Sequence, residues 1–82
     1  MLQVEVQLFA AAADRAGARQ LTVQVPAAAS LVELRRRLIQ NCPPLEALAM
    51  NSRWAVDCEF VDVGFVIDGD LRIAMIPPVS GG

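Results

Sequence analysis

Apolar and polar residues alternate along the start of the chain, with Leu2, Val4, Val6 and Leu8 set against Gln3, Glu5 and Gln7. A period of two is that of a strand with one buried face. Phe9 continues the count on the polar side. Ala10 to Ala16 is rich in alanine and predicts a brief helix, with Gly17 placed to end it. Alternation returns from Gln20 to Val25, where Leu21, Val23 and Val25 share one side and Pro26 closes the strand. The period then lengthens. Leu31, Leu34 and Leu38 recur at helical spacing behind Ser30, and Ser30 with Glu33 makes the Ser-x-x-Glu pattern of a capping box. Asn41, Pro43 and Pro44 end this helix.

The second half is less regular. Leu45 to Leu48 predicts one loose turn. Leu48–Met50 and Trp54–Val56 read as short strands flanking a polar turn at Asn51-Ser52. Residues 57–67 mix acids with large apolar side chains and follow no clear period. Asp68-Gly69-Asp70 is a strong turn signal, and Leu71, Ile73 and Met75 then alternate with Arg72, Ala74 and Ile76 in a last strand.

Two strands, one main helix of about three turns, short strands and a final strand predict an α+β domain. The expected architecture is a β-grasp, or ubiquitin-like, roll: a mixed sheet of four or five strands with the helix on one face. Residues 1–76 would form the domain and residues 77–82 an extended tail. In such a roll the first and last strands lie side by side and parallel. Phe9 and Ile76, each on the polar side of its strand, then meet at the end nearest the tail. Trp54 is a third large apolar residue on a short outer strand. Grouped on an open sheet face, Phe9, Trp54 and Ile76 would be anchors of a partner interface. The alternatives are that Trp54 belongs to the core, or that Phe60 or Phe65 folds over the others.

Composition narrows the chemistry. At 82 residues there is room for one small domain, and 55% hydrophobic content is too high for a disordered chain. No apolar stretch approaches the length of a membrane span. A net charge of −2 gives no basic footprint for nucleic acid. All seven cations are arginines, and histidine, lysine and tyrosine are absent. The usual general base, the commonest metal ligand and the Schiff-base amine are therefore missing. Cys42 and Cys58 are far apart and fit no metal-ligand spacing, so no metal is expected. Reduced thiols in a cytoplasmic protein are expected, a disulfide between them being the alternative. Arg35, Arg36 and Arg37 read as a solvated helix face suited to the helix C-terminus rather than as an anion site. A chain so equipped is not expected to be a stand-alone catalyst; it reads as something acted upon.

The tail shows where. Pro77-Pro78-Val79-Ser80-Gly81-Gly82 follows the last strand directly. The prolines cannot continue a sheet ladder and favour an extended exit. Gly81 and Gly82 have no Cβ and can thread a slot closed to other residues. Extended, the tail reaches roughly 20 Å, enough to carry a terminal carboxylate into a partner's active site.

Asp68-Gly69-Asp70, an apolar strand and the Pro-Pro-Val-Ser-Gly-Gly ending, with the opening strand running into Phe9-Ala10 and with Asn51 near the middle, resemble the MoaD/ThiS family of ubiquitin-like sulfur carriers. Within it, the small subunits of molybdopterin synthase are the nearest pattern, over almost the whole chain. The resemblance implies that Gly82 is the reacting residue, Gly81 gives clearance, and Pro77, Pro78, Val79 and Ser80 aim the tail. It implies activation by a ubiquitin-activating-like adenylyltransferase using ATP, with no cofactor bound to this chain. A persulfide donor would then supply sulfur, leaving a thiocarboxylate on Gly82. The acceptor would be cyclic pyranopterin monophosphate on the large synthase subunit, in a heterotetramer, in the making of molybdenum cofactor. A thiamine-pathway or other thiocarboxylate carrier, and a ubiquitin-like protein modifier, are the alternatives.

Overall fold

The computed structural model describes residues 1–78. Its elements are strand β1 (Leu2–Leu8), helix α1 (Ala11–Ala16), strand β2 (Gln20–Val25), helix α2 (Leu31–Asn41), a 3₁₀ turn (Pro43–Leu45), helix α3 (Glu46–Asn51), and strands β3 (Arg53–Val56), β4 (Glu59–Val61) and β5 (Leu71–Ile76). The strands form one five-stranded sheet in the order β2-β1-β5-β3-β4. β1 and β5 pair in parallel at its centre, from Val4 against Leu71 to Leu8 against Met75. The other neighbours are antiparallel. This is the β-grasp roll that the element order predicts.

The two-residue period decides which side chains are buried. Val4, Val6, Leu8, Val23, Val25, Ile73 and Met75 point to one face and are closed over by Leu31, Leu34 and Leu38 of α2, with Leu45, Ala49 and Ile67 completing the core. Gly17 ends α1 with a left-handed φ of 68°, its N–H donating to the Ala13 carbonyl at 2.9 Å, a conformation natural to glycine.

Three local expectations are corrected. Ser30 is the N-cap of α2, but its side chain makes no capping bond. The Glu33 carboxylate that a capping box needs is held elsewhere, by Arg36 at 2.6 Å and Arg37 at 2.6 Å. The helix N-terminus is capped by backbone instead: Leu31 N–H donates to the Phe65 carbonyl at 2.9 Å and Val32 N–H to the Val63 carbonyl at 3.2 Å. Val63 and Phe65, in a stretch that carries no period, thus satisfy two of the orphan donors of α2, and the Ser30 carbonyl takes the N–H groups of Glu33 and Leu34. Second, Leu48–Met50 is not a strand but part of α3, with Leu45 and Ala49 buried at a spacing of one helical turn. Third, no basic residue falls in the last turn of α2, so Arg35, Arg36 and Arg37 do not complement its C-terminus; Arg36 and Arg37 pair with Glu33, and Arg37 Nη1 also donates to the Gln24 carbonyl at 3.3 Å.

β3 and β4 are joined by Asp57 and Cys58, both left-handed at φ 51° and 66°. Two such residues suit the twist of a tight hairpin. At the other end of β5, Asp70 Oδ1 accepts from the Gln3 N–H at 3.0 Å and fixes the entry of β5 beside β1.

Candidate functional site

The sheet face opposite α2 is uncovered, and the register lays out its side chains in rows. Gln7 pairs with Ala74, Ala74 with Ala55, and Ala55 with Phe60. One row nearer the tail, Ile76 pairs with Arg53, and Phe9 follows directly on the Leu8–Met75 pair. The small side chains of Ala74 and Ala55 are framed by Phe9, Ile76 and Phe60. Together they make a depression of about 390 Å³, with Gln7, Arg72, Asp57 and Cys58 along its polar rim. Phe9 is 47% exposed and Phe60 54%, while Ile76 is half-buried. Large apolar side chains held this far out on a rigid sheet are suited to a protein interface.

Phe9 and Ile76 are therefore where the sequence puts them. Trp54 is not: it is 2% exposed and belongs to the core. The cause is register. Trp54 pairs with Met75 on β5 and Val61 on β4, and Met75 points at α2. Phe60 takes the outer position instead. Alternation cannot show this, because residues 57–67 have no period from which to read a face. The hairpin at Asp57-Cys58 is what sets it, and neither residue is a strong turn signal at that position.

The electrostatics of the face are simple. Arg72 lies 3.6 Å from Glu5 across the central strand pair. The Arg53 guanidinium sits 3.7 Å from the centre of the Phe60 ring, an attraction between a cation and the negative face of the ring. Among the described residues no group of three or more His, Cys, Asp or Glu could hold a metal ion. Both cysteines are free thiols, Cys42 half-buried and Cys58 exposed at the hairpin tip, so the disulfide alternative does not hold. Among the described residues no helix is long and apolar enough to cross a membrane.

Pro77 is half-buried and Pro78 exposed where the chain leaves β5, immediately beyond the depression. Val79, Ser80, Gly81 and Gly82, to which the sequence assigns the tail chemistry, lie outside the described residues. Within residues 1–78 the open sheet face presents an apolar depression next to the root of that tail.

Comparison with known proteins bears on what docks. The profile of the ThiS family matches residues 6–82. The molybdopterin synthase sulfur carrier subunit of Caenorhabditis briggsae is 37% identical over 84 residues, covering 100% of both chains. The subunit of the same name from Homo sapiens is 34% identical over 85 residues, covering 100% of this chain and 97% of its own. Among solved structures, the small archaeal modifier protein 1 of Haloferax volcanii superposes with a TM-score of 0.86 at 25% identity, over 96% of this chain and 100% of its own.

Proposed function

Since the chain belongs to the ThiS family, we propose that it is the sulfur-carrier subunit of a molybdopterin synthase. The observation that carries this is the end-to-end likeness to relatives of that name, tail included. The geometry agrees with it: an apolar depression stands beside the root of a Pro-Pro-x-x-Gly-Gly tail.

The chemistry follows from the weakness of a carboxylate as an electrophile. An ATP-dependent adenylyltransferase joins the Gly82 carboxylate to AMP and releases pyrophosphate. The acyl carbon now bears a good leaving group. A persulfide sulfur attacks it and expels AMP, and cleavage of the sulfur–sulfur bond by a thiol leaves a thiocarboxylate on Gly82. The tail enters the large subunit, and the nucleophilic sulfur is transferred to cyclic pyranopterin monophosphate. Water then releases the Gly82 carboxylate, and a second charged carrier supplies the second sulfur of the dithiolene. Gly81 gives clearance at the reacting end, while Pro77 and Pro78 hold the approach straight. Having no histidine or lysine, the chain leaves proton transfer to the partner. Phe9, Phe60 and Ile76 seat the large subunit, in a heterotetramer with two carriers. ATP and reduced thiols make the cytoplasm the working compartment.

Reconstitution tests the reading. The chain, charged as thiocarboxylate and mixed with the large subunit and cyclic pyranopterin monophosphate, is expected to yield molybdopterin, and deletion of Gly81-Gly82 to abolish it. Failure with the pterin, together with success in a thiazole-forming system, would move the protein to the thiamine pathway. The likeness to an archaeal modifier protein supports a second reading, in which Gly82 is joined to lysines of target proteins. Conjugates that survive a denaturing gel and vanish on deletion of Gly82 would favour it.

A further inference from the structure

Each arginine of the ion pairs in the fold is matched by an acid: Arg36 and Arg37 by Glu33, and Arg72 by Glu5. Arg15, Arg19, Arg35 and Arg53 make no ion pair among the described residues. Of these four, Arg53 is exposed and is carried on β3, in the apolar part of the open face. Its strand position places it opposite Ile76, and its guanidinium lies 3.7 Å over the Phe60 ring. Arg53 and Phe60 are a diagonal cross-strand pair, within reach of long side chains on one face.

Three physical consequences follow. Stacking on Phe60 orders the guanidinium before any partner arrives, so less side-chain entropy is lost on binding. The guanidinium makes no ion pair among the described residues, and its N–H fork matches a carboxylate in a two-pronged pair. Finally, a partner that covers Phe9, Ile76 and Phe60 excludes water from the same place. A guanidinium left there without an acid would oppose docking, whereas one met by an acid would be strengthened by the lower dielectric. Apolar contacts alone tolerate many partners; a charge held among them selects one.

Resting on the sulfur-carrier reading above, we propose that Arg53 is a specificity-determining residue of the docking face and pairs with a carboxylate of the large synthase subunit. The Arg53–Phe60 stack is a single anchor. Phe60 supplies area and orientation, and Arg53 supplies charge and register. Docking then fixes how the sheet sits on the partner, and with it the direction in which the tail leaves Ile76.

The test is the affinity of the full chain for the large subunit of the same organism, by titration calorimetry at low and high salt. Arg53→Gln is expected to weaken binding roughly 10-fold or more and to flatten its salt dependence. Arg53→Lys keeps the charge but loses the fork and is expected to fall between the two. Arg53→Glu is expected to bind least. Arg36→Gln, on the helix side, is the control that leaves affinity unchanged. Arg53→Gln binding within about twofold of the wild type, a ratio worth little in free energy, with an unaltered salt slope overturns the proposal. Should Arg53→Gln not fold, Arg53→Lys decides, and wild-type affinity in that variant overturns it. A wild-type chain that does not bind the large subunit at all overturns the functional reading with it, so the two failures are told apart.

Discussion

Trp54 is the largest of the fully buried side chains, and its indole Nε1–H has no hydrogen-bond partner among the described residues. Two terms oppose each other at this position. The ring system removes much apolar surface from water, and truncating a buried tryptophan to alanine costs about 3–5 kcal/mol. The unpartnered donor works against folding by about 1–3 kcal/mol. Trp54→Phe removes the donor and part of the area together, so its stability is expected to lie within about 1 kcal/mol of the wild type, against a loss of several for Trp54→Ala. Urea unfolding of both variants checks this. A loss with phenylalanine as large as with alanine would mean that Nε1 is satisfied after all. The same residue shows what a sequence withholds. In β1, seven residues of alternation reveal both faces. β3 has four residues, three of them paired on both sides, and the face given to Trp54 comes from its alignment with Met75 and Val61. No property of residues 53–56 alone contains that alignment. Phe9 and Ile76 were legible because one directly follows and the other ends a regular strand, whereas Phe60 follows a hairpin that its residue types do not announce.

Among the elements, α2 shows how a correct helix can rest on an unforeseen cap. Leucines at helical spacing place it, but the first two N–H groups of the helix are held by the Val63 and Phe65 carbonyls, remote in sequence. A capping box is read from neighbours in the chain, while here the acceptors arrive with the fold. Glu33 is thereby free to serve Arg36 and Arg37. Donation from Arg36 and then Arg37 lowers its carboxyl from the usual 4.5 to about 2. A carboxylate with a depressed folded-state pKa favours the native state at pH above its unfolded value, and the benefit is lost as the pH falls through the folded one. The stability difference between the wild type and Glu33→Gln is therefore expected to be constant above 4.5 and to shrink towards zero as the pH falls to about 2. Unfolding curves across that window check the sign, and NMR titration of the Glu33 carboxyl checks the pKa. Because the group is solvent-accessible, added salt should reduce the difference. A difference that grows on acidification would show that the pairs with Arg36 and Arg37 do not hold in solution. α3 makes the converse point. Leu48–Met50 has the apolar content of a short strand, yet burial of Leu45 and Ala49 on one side of a helical turn decides the conformation. Tertiary burial overrides local pattern where a segment is too short for its period to be read.

At the scale of the whole molecule, the sheet divides the work between its faces. One face packs Val6, Ile73 and Met75 against the leucines of α2. The other holds Phe9, Phe60 and Ile76 around small alanines and leaves them accessible. Because successive residues of a strand point to opposite faces, stability and docking are written on alternate positions of the same strands. Substitutions should then separate the two properties by parity. Val6→Ala or Ile73→Ala opens a cavity in a small core and is expected to cost about 1–4 kcal/mol of stability. The docking face, its apolar side chains being half-exposed, should behave otherwise. Phe9→Ala and Phe60→Ala are expected to leave stability within about 0.5 kcal/mol of the wild type. The same changes remove anchors that become fully covered on binding, and each is expected to weaken association with the large subunit by about 1–3 kcal/mol. Pairing urea unfolding with calorimetric titration of the same variants tests both halves. If Phe9→Ala and Phe60→Ala lower stability as much as the core truncations do, the open face is structural and the depression is not where a partner sits. If they alter neither property, docking is carried by the tail alone. Loss of affinity at constant stability makes the central parallel pair a single device. β1 brings Phe9 to the end of the sheet where β5 delivers Ile76 and releases the tail, so the surface that holds the partner and the segment that enters it are set side by side.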